Sequence, residues 1–140
     1  MVRRRGEAHT HHTLTHEEPV DSKLGYQAEV AWYNVKSMEA LARFIEPFTK
    51  VREGAGTLLD NTLIFANSDT NNAKVHSVDG VPVMTIGRAG GRVRTGEHYI
   101  GGGDPISRVG LTVLQAMGLQ LPSWGTASLR TSKTITGMLA

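Results

Sequence analysis

The chain has 140 residues, of which 39% are hydrophobic, and its 15 Lys and Arg against 13 Asp and Glu give a net charge of +2. This length and composition predict one globular domain, or part of one, and exclude a disordered chain. The small net charge does not favour a nucleic-acid or membrane partner, and no apolar run approaches the ~20 residues of a membrane-spanning helix. The absence of cysteine excludes disulfides and thiolate metal sites.

Residues 1–25 are polar, and their composition predicts a loop or arm. A run of three arginines begins at Arg3 and indicates either a solvated terminus or an anion-binding arm. The histidine-rich stretch HTHHTLTH follows. His12 and His16 are four residues apart and would share one face of a helix, but the threonine-rich setting disfavours a helix. The histidines therefore indicate either a metal or phosphate site or a surface accident of composition.

The next stretch has the apolar period of a helix. Apolar residues recur at intervals of three and four between residue 26 and about residue 48, which predicts an amphipathic helix of about six turns. Trp32 and Met38 are expected in the core. Pro47 is expected to end or kink the helix, because proline lacks the N–H group that the preceding turn needs.

Two short apolar runs, residues 62–66 and 81–86, predict buried strands. Because neither run alternates strictly, we expect both faces to be covered, as in α/β sheets. The fourteen-residue connection is too long for a tight hairpin, which favours parallel strands or a missing neighbour between them. The polar loop between the runs carries Asp69, His76 and Asp79 and is where chemistry is expected.

The last third of the chain begins with a glycine-rich stretch, residues 87–103, which predicts tight turns and a short β-ribbon at 92–95. Arg88, Arg92 and Arg94 would hold an anionic substrate or be solvated. Asp104 as N-cap and Pro105 at the first position predict a second helix over 105–117, which Gly118 closes. The Ser/Thr-rich tail is expected to pack once at Trp124 and then fray.

Three runs of the sequence resemble a known family: GTLLDNTLIFANSD, VHSVDGVPVMTIGRAGGRVRTGEHY and DPISRVGLTVLQAMG. They are similar to the C-terminal part of the domain-of-unknown-function family numbered 1552, which itself resembles the alkaline phosphatase-like superfamily of metal-dependent phosphatases, sulfatases and phosphomutases. The likeness extends over residues 11–125. It implies an α/β fold, a partial alkaline phosphatase-like sandwich with helices packed on a mostly parallel sheet and the N-terminal portion missing.

The resemblance also implies a metal site. In the superfamily, Asp and His residues at strand ends hold two divalent metals, and an upstream nucleophile attacks phosphorus or sulfur. Asp69 matches the Asp of the usual metal motif, where Thr70 stands in place of the usual His. His76 matches the His before the next strand, and His12 and His16 match an upstream pair in which His12 replaces an Asp. One site of His12, His16 and His76 is thus implied, while the second retains only Asp69.

The chemistry of these ligands favours a divalent metal, zinc first and manganese second, because imidazole suits a borderline cation such as zinc. The substrate would be a small anion held by Arg88 and Arg92. The implied function is the C-terminal fragment of a phosphatase-type or sulfatase-type hydrolase, inactive alone because the family pattern places its nucleophile upstream. The alternatives are a non-catalytic metal-binding or scaffold domain and a basic-arm binding module.

The predicted organisation is a polar arm at 1–25, a partial α/β domain at 26–125 and a polar tail at 126–140. A truncated sheet would expose a strand edge and favour self-association.

Overall fold

The computed structural model describes residues 5, 6 and 8–140, so Arg3 and Arg4 of the predicted arginine arm lie outside the described residues. The chain divides into two compact units. The first holds the described part of Met1–Pro47 together with Ser68–Val81, and the second holds Phe48–Asn67 and Pro82–Ala140. Along the described residues, no helix combines the length and apolar character that crossing a membrane requires.

The first unit begins with a helix where the sequence predicts an arm. Helix α1 spans His11–Glu17. The hydroxyl oxygen of Thr10 accepts a hydrogen bond from the Thr13 N–H at 3.2 Å, which is the usual N-cap geometry. Pro19 explains where the helix ends, since a residue before proline avoids the helical region and Glu18 is extended. The prediction of a loop or arm is wrong for His11–Glu17, because a threonine cap and the buried Leu14 outweigh the low helix propensity of threonine.

Helix α2, Ala28–Lys50, confirms the predicted long helix but continues through Pro47. Its only side chain in the buried class is Tyr33. Met38, expected in the core, is 48% exposed, and Val35 on the same predicted face is 55% exposed. The apolar period therefore identified the helix correctly but not its burial.

The second unit contains six regular elements and one 3₁₀ turn. In chain order they are β1 (Arg52–Glu53), β2 (Gly56–Thr57), α3 (Leu58–Asn61), β3 (Ile64–Asn67), β4 (Val83–Ile86), α4 (Ser107–Ala116) and the 3₁₀ turn Ala127–Leu129. The two short strands β1 and β2 pair antiparallel beside α3. Asp60 accepts hydrogen bonds from the N–H and the hydroxyl of Thr57, at 2.7 and 2.8 Å, and these bonds close the first turn of α3.

The predicted sheet is wrong. Over the described residues there are two small antiparallel sheets of two strands each, not a mostly parallel sheet covered by helices. Strands β3 and β4 pair with Phe65 opposite Thr85, and Phe65 is 43% exposed. A long connection does not prevent antiparallel pairing when it folds as part of another unit, as Ser68–Val81 does. The partial alkaline phosphatase-like sandwich is thereby contradicted.

Helix α4 and the C-terminal segment form the core of the second unit. The α4 side chains in the buried class are Ser107, Leu111, Thr112 and Ala116. A hydrophobic cluster of Ala89, Val93 and Ala116 packs with Leu63, Met138 and Leu139. The hydroxyl oxygen of Thr112 accepts the Ile135 N–H at 2.9 Å, and Val93 forms a β-bridge with Leu139. The C-terminal segment is thus packed rather than frayed. The predicted ribbon at 92–95 is wrong, since Val93 forms only an isolated β-bridge with Leu139.

The ends of α4 differ in how well they were predicted. Gly118 ends the helix with φ +93, and the Leu119 N–H donates to Leu114 O at 3.0 Å, as the glycine prediction requires. The predicted N-cap is wrong, because the helix begins at Ser107 and its N-cap position is Ile106. Asp104 instead accepts hydrogen bonds from the side chains of Tyr99 and Arg108.

One glycine at the end of β4 is required by close backbone contact. Gly87 has φ +98, and a Cβ atom there would lie 2.3 Å from Thr62 O. The neighbouring Ala89 N–H donates to the same oxygen at 3.1 Å. The glycine-rich stretch therefore begins with a turn packed on the backbone that leads into β3.

Candidate metal centre

Three of the predicted metal ligands lie together in the first unit. His12 and His16 are one turn apart on α1, and their ring centroids are 4.8 Å apart. The ring of His76 lies 5.3 Å from that of His16. The rings meet edge to face, with interplanar angles of 64° and 61°. Two separate segments of the chain thus bring three imidazoles to one place.

The loop Ser68–Val81 presents His76 through its own hydrogen bonds. Asn72 and Ser77 form an antiparallel bridge, in which the Ser77 N–H donates to Asn72 O at 3.0 Å. Between them the 3₁₀ turn Ala73–Val75 packs against α1. His76 follows this turn with φ 52 and ψ 36, a left-handed conformation that is uncommon for residues other than glycine but that histidine adopts more readily than most. The turn places the His76 ring beside His16 of α1.

A second contact holds α1 against the start of α2. The carboxylate of Glu18 accepts the N–H groups of Glu29 and Val30 at 2.8 and 2.9 Å. In return, the side-chain amide of Gln27 donates to the Glu18 carbonyl at 2.7 Å and to the Leu14 carbonyl at 3.3 Å. These bonds satisfy free backbone groups at the end of one helix and the beginning of the next. They fix the orientation of the helix that carries His12 and His16.

His11 is a neighbouring histidine that the sequence argument did not assign. Its ring stacks on Tyr33 with centroids 4.7 Å apart and an angle of 24°. Its Nε2 atom is buried, and no hydrogen-bond partner for it lies among the described residues. Sequence spacing carries no signal for this contact, since Tyr33 lies on a different helix. The stacking makes His11 part of the packing between α1 and α2.

Asp69 lies on the same loop as His76, Ser68–Val81, and its side chain is exposed. Its role as a metal ligand stays a prediction. Within residues 8–140, moreover, no three His, Asp or Glu side chains stand in a ready arrangement for a metal ion. The three rings are near each other, but their nitrogens would have to turn toward a common point.

Two ring separations, His12 to His16 and His16 to His76, match the spacing of zinc ligands. Zinc holds imidazole nitrogens at about 2.0–2.1 Å in a tetrahedral arrangement, which puts the ring centroids of two ligands roughly 5 Å apart. The observed separations of 4.8 and 5.3 Å lie on either side of that value. His12 and His76 are exposed, so their side chains have room to rotate. The donor set of three neutral imidazoles suits zinc better than the harder manganese.

The predicted substrate arginines belong to the second unit. Arg92 donates from Nη1 to the Ala116 carbonyl at 3.4 Å, which places its charge at the C-terminal end of α4. Arg88 is exposed. The backbone N–H and then the hydroxyl of Thr57 lower the pKa of Asp60, and Arg88 adds a smaller electrostatic contribution in the same direction. Both arginines therefore have local partners in the second unit.

A polar cluster that sequence reasoning missed lies at the start of α4. The Tyr99 hydroxyl donates to the Asp104 carboxylate, and Arg108 donates to both side chains. The hydrogen bond to Asp104 raises the pKa of Tyr99, and the same bond, with help from Arg108, lowers the pKa of Asp104. Arg108 also donates to Thr134 O at 3.0 and 3.2 Å. The spacing of four between Asp104 and Arg108 was the signal that could have revealed this pair.

No family model, curated protein or solved structure matches this chain. The resemblance to family 1552 therefore stays a prediction that rests on sequence motifs. The function has to be argued from the side chains themselves.

Proposed function

We propose that this chain binds a divalent metal ion, zinc in preference to manganese, through His12, His16 and His76. The observation that carries the proposal is the meeting of three imidazole rings from α1 and the loop after β3, with centroid separations of 4.8 and 5.3 Å. Three imidazoles leave one position of a tetrahedral zinc ion open. A water molecule or the oxygen of a small anion would take that position.

The surroundings of the three rings predict that zinc binds with low affinity. Strong zinc sites orient each histidine by a hydrogen bond from its other ring nitrogen, and the loss of such partners costs about 10–100-fold in affinity. Among the described residues, the rings of His12, His16 and His76 donate no such hydrogen bond to a carboxylate. The geometry is instead provided by the backbone: α1 with its cap, and the left-handed turn at His76.

The sequence resemblance adds a second candidate function, hydrolysis of phosphate or sulfate esters at the same metal. A bound zinc ion would polarise the ester oxygen and activate water. The two threonines of α1 are poorly placed to act as nucleophiles, because Thr15 donates to His12 O at 2.7 Å and Thr13 bonds to Thr10 at 3.0 Å. We therefore expect little or no turnover by this chain, which makes the non-catalytic metal-binding domain the better-supported function.

Titration of the purified chain with zinc, followed by calorimetry, tests the proposal. We expect one zinc per chain for the wild type and a loss of at least roughly tenfold in affinity for His16→Ala combined with His76→Ala. His98→Ala is the matched control, since His98 is an exposed histidine of the second unit, and it should bind as the wild type does. Circular dichroism of each variant checks that the helices are intact.

An unchanged affinity in the double variant would show that the cluster is not a metal site. Replacing zinc by cobalt gives an independent readout, because tetrahedral cobalt absorbs visible light strongly and its spectrum should vanish in the same variant. The hydrolase candidate is tested with aryl phosphate and aryl sulfate esters in the presence of zinc or manganese. Robust turnover that Asp69→Ala abolishes would make the chain an enzyme.

A further inference from the structure

The second unit carries an open apolar groove beside the first half of α4. It is a shallow surface depression with a volume of about 500 Å³. Four large apolar side chains line it, namely Phe65, Ile106, Trp124 and Leu129. Each of them is between 43% and 51% exposed. A group of exposed aromatic and aliphatic side chains on one surface is typical of a binding site.

The backbone around Trp124 fixes the position of this side chain in the groove. Trp124 pairs with Thr131 in a β-bridge whose two N–H···O distances are 2.9 and 2.8 Å. Gly110 on α4 leaves space for the indole, because a Cβ atom at that position would lie 3.0 Å from Trp124 Nε1. The tryptophan therefore lies against bare helix backbone on one side. Its remaining surface, 46% of the residue, faces solvent.

A second depression of about 440 Å³ adjoins the groove and shares Ser123 with it. Its lining includes Arg130, whose Nε and Nη2 atoms donate to the Ser123 hydroxyl at 3.3 and 3.2 Å. Among the described residues, no carboxylate pairs with this guanidinium. An arginine held by a neutral hydroxyl keeps its full charge and spare donors for an anion.

We propose that the groove and the depression together form a binding site for a small aromatic anion. The aromatic body lies in the groove against Trp124, and the anionic group, a sulfonate, sulfate or carboxylate, accepts hydrogen bonds from Arg130. The apolar lining selects a flat hydrophobic body, and the unpaired cation at one end selects a negative charge there. Ser123 lies between the two parts and positions the guanidinium. This site is separate from the histidine cluster and does not depend on metal binding.

Two probes with the same ring system separate the contributions of the ring and the charge. 2-Naphthalenesulfonate carries the anion, and 2-naphthol is its uncharged counterpart. Binding to the full chain is followed through the indole N–H signal of Trp124 in NMR spectra, which the variant Trp32→Phe assigns by elimination. We expect the sulfonate to bind more tightly than the naphthol and to shift the Trp124 signal.

The variant Arg130→Gln should weaken sulfonate binding at least about fivefold and leave naphthol binding unchanged, because only the anion uses the guanidinium. Arg130→Lys keeps the charge and should retain most of the affinity. Arg52→Gln, at an exposed arginine of the same unit, is the matched control and should bind the sulfonate as the wild type does. The proposal is overturned if the wild type binds both probes equally, if the Trp124 signal does not move, or if Arg52→Gln and Arg130→Gln lose affinity alike.

Discussion

The two units build their helices in different ways. In the second unit, the ten-residue helix α4 buries four side chains, and Leu111 among them is fully inaccessible. The 23-residue helix α2, which belongs to the first unit as far as Pro47, has only Tyr33 in the buried class. Both helices have the same kind of apolar periodicity in the sequence. The comparison teaches that periodicity reports helix formation, whereas burial depends on what the rest of the chain brings to that face.

The first unit relies on hydrogen bonds and ring contacts where the second relies on close packing. Glu18 and Gln27 join two helix ends, and His11 stacks on Tyr33. Segments with few buried apolar contacts are expected to open locally at a lower free energy than a packed core. The proposed metal ligands lie in this less packed unit. A bound metal would therefore raise the free energy of local opening in the unit that is expected to open more easily.

The largest expected effect on the free energy of unfolding comes from a cavity in the packed core of the second unit. Leu111→Ala should lower the free energy of unfolding by about 2–5 kcal/mol, because it leaves a cavity in a region that collapses only partly. Met38→Ala in the first unit should change it by less than about 0.5 kcal/mol, since Met38 is 48% exposed. Urea unfolding followed by circular dichroism measures both. Similar losses for the two variants would remove the distinction between the units.

A smaller effect is expected at the junction between the helices of the first unit. Glu18→Ala should cost about 1–2 kcal/mol, because the N–H groups of Glu29 and Val30 lose their acceptor. Hydrogen exchange of these two amides should accelerate, while the amides of α4 keep their protection. Glu17→Ala is the control, since Glu17 is the exposed neighbour. Equal acceleration in both variants would show that the Glu18 contacts do not support the helix.

The smallest expected effect is a dependence on pH in the second unit. The Tyr99 hydroxyl, and with it Arg108, lowers the pKa of Asp104 below its usual 3.8. Because the folded pKa is below the unfolded one, the stabilisation is fully present above the usual pKa and is lost as the pH falls through the lowered value. Thermal unfolding between pH 2 and pH 7 should therefore show less acid destabilisation for Asp104→Asn than for the wild type. Tyr99→Phe should give an intermediate slope, and an Asp104→Asn slope equal to that of the wild type would contradict the argument.

The sequence located the regular elements better than it located their partners. The predicted helix at 26–48 and the predicted strands at 62–66 and 81–86 coincide closely with α2, β3 and β4. Gly118 was correctly expected to end α4. In each case the signal is local, a repeat of apolar residues or a glycine with φ > 0, and local signals need no knowledge of the rest of the chain.

The candidate site was only partly accessible from the sequence. A spacing of four between His12 and His16 was enough to place them on one helical face once α1 formed. The approach of His76 depended on the fold of the loop Ser68–Val81, which the sequence argument had assigned to a strand end of a parallel sheet. Asp69 and the substrate role of Arg92 stay predictions, and Arg92 has a partner at the end of α4.

By itself the sequence determined the positions of two helices, the two strands of one sheet and the residue types available for metal binding. Only the tertiary structure decided that β3 and β4 run antiparallel, that the C-terminal segment packs through Ile135, and that Trp124 and Arg130 line adjoining depressions. The physical reason is that propensity and capping act over a few neighbouring residues. Strand pairing and burial are set by contacts between residues far apart in the chain, and many such pairings satisfy the same local pattern.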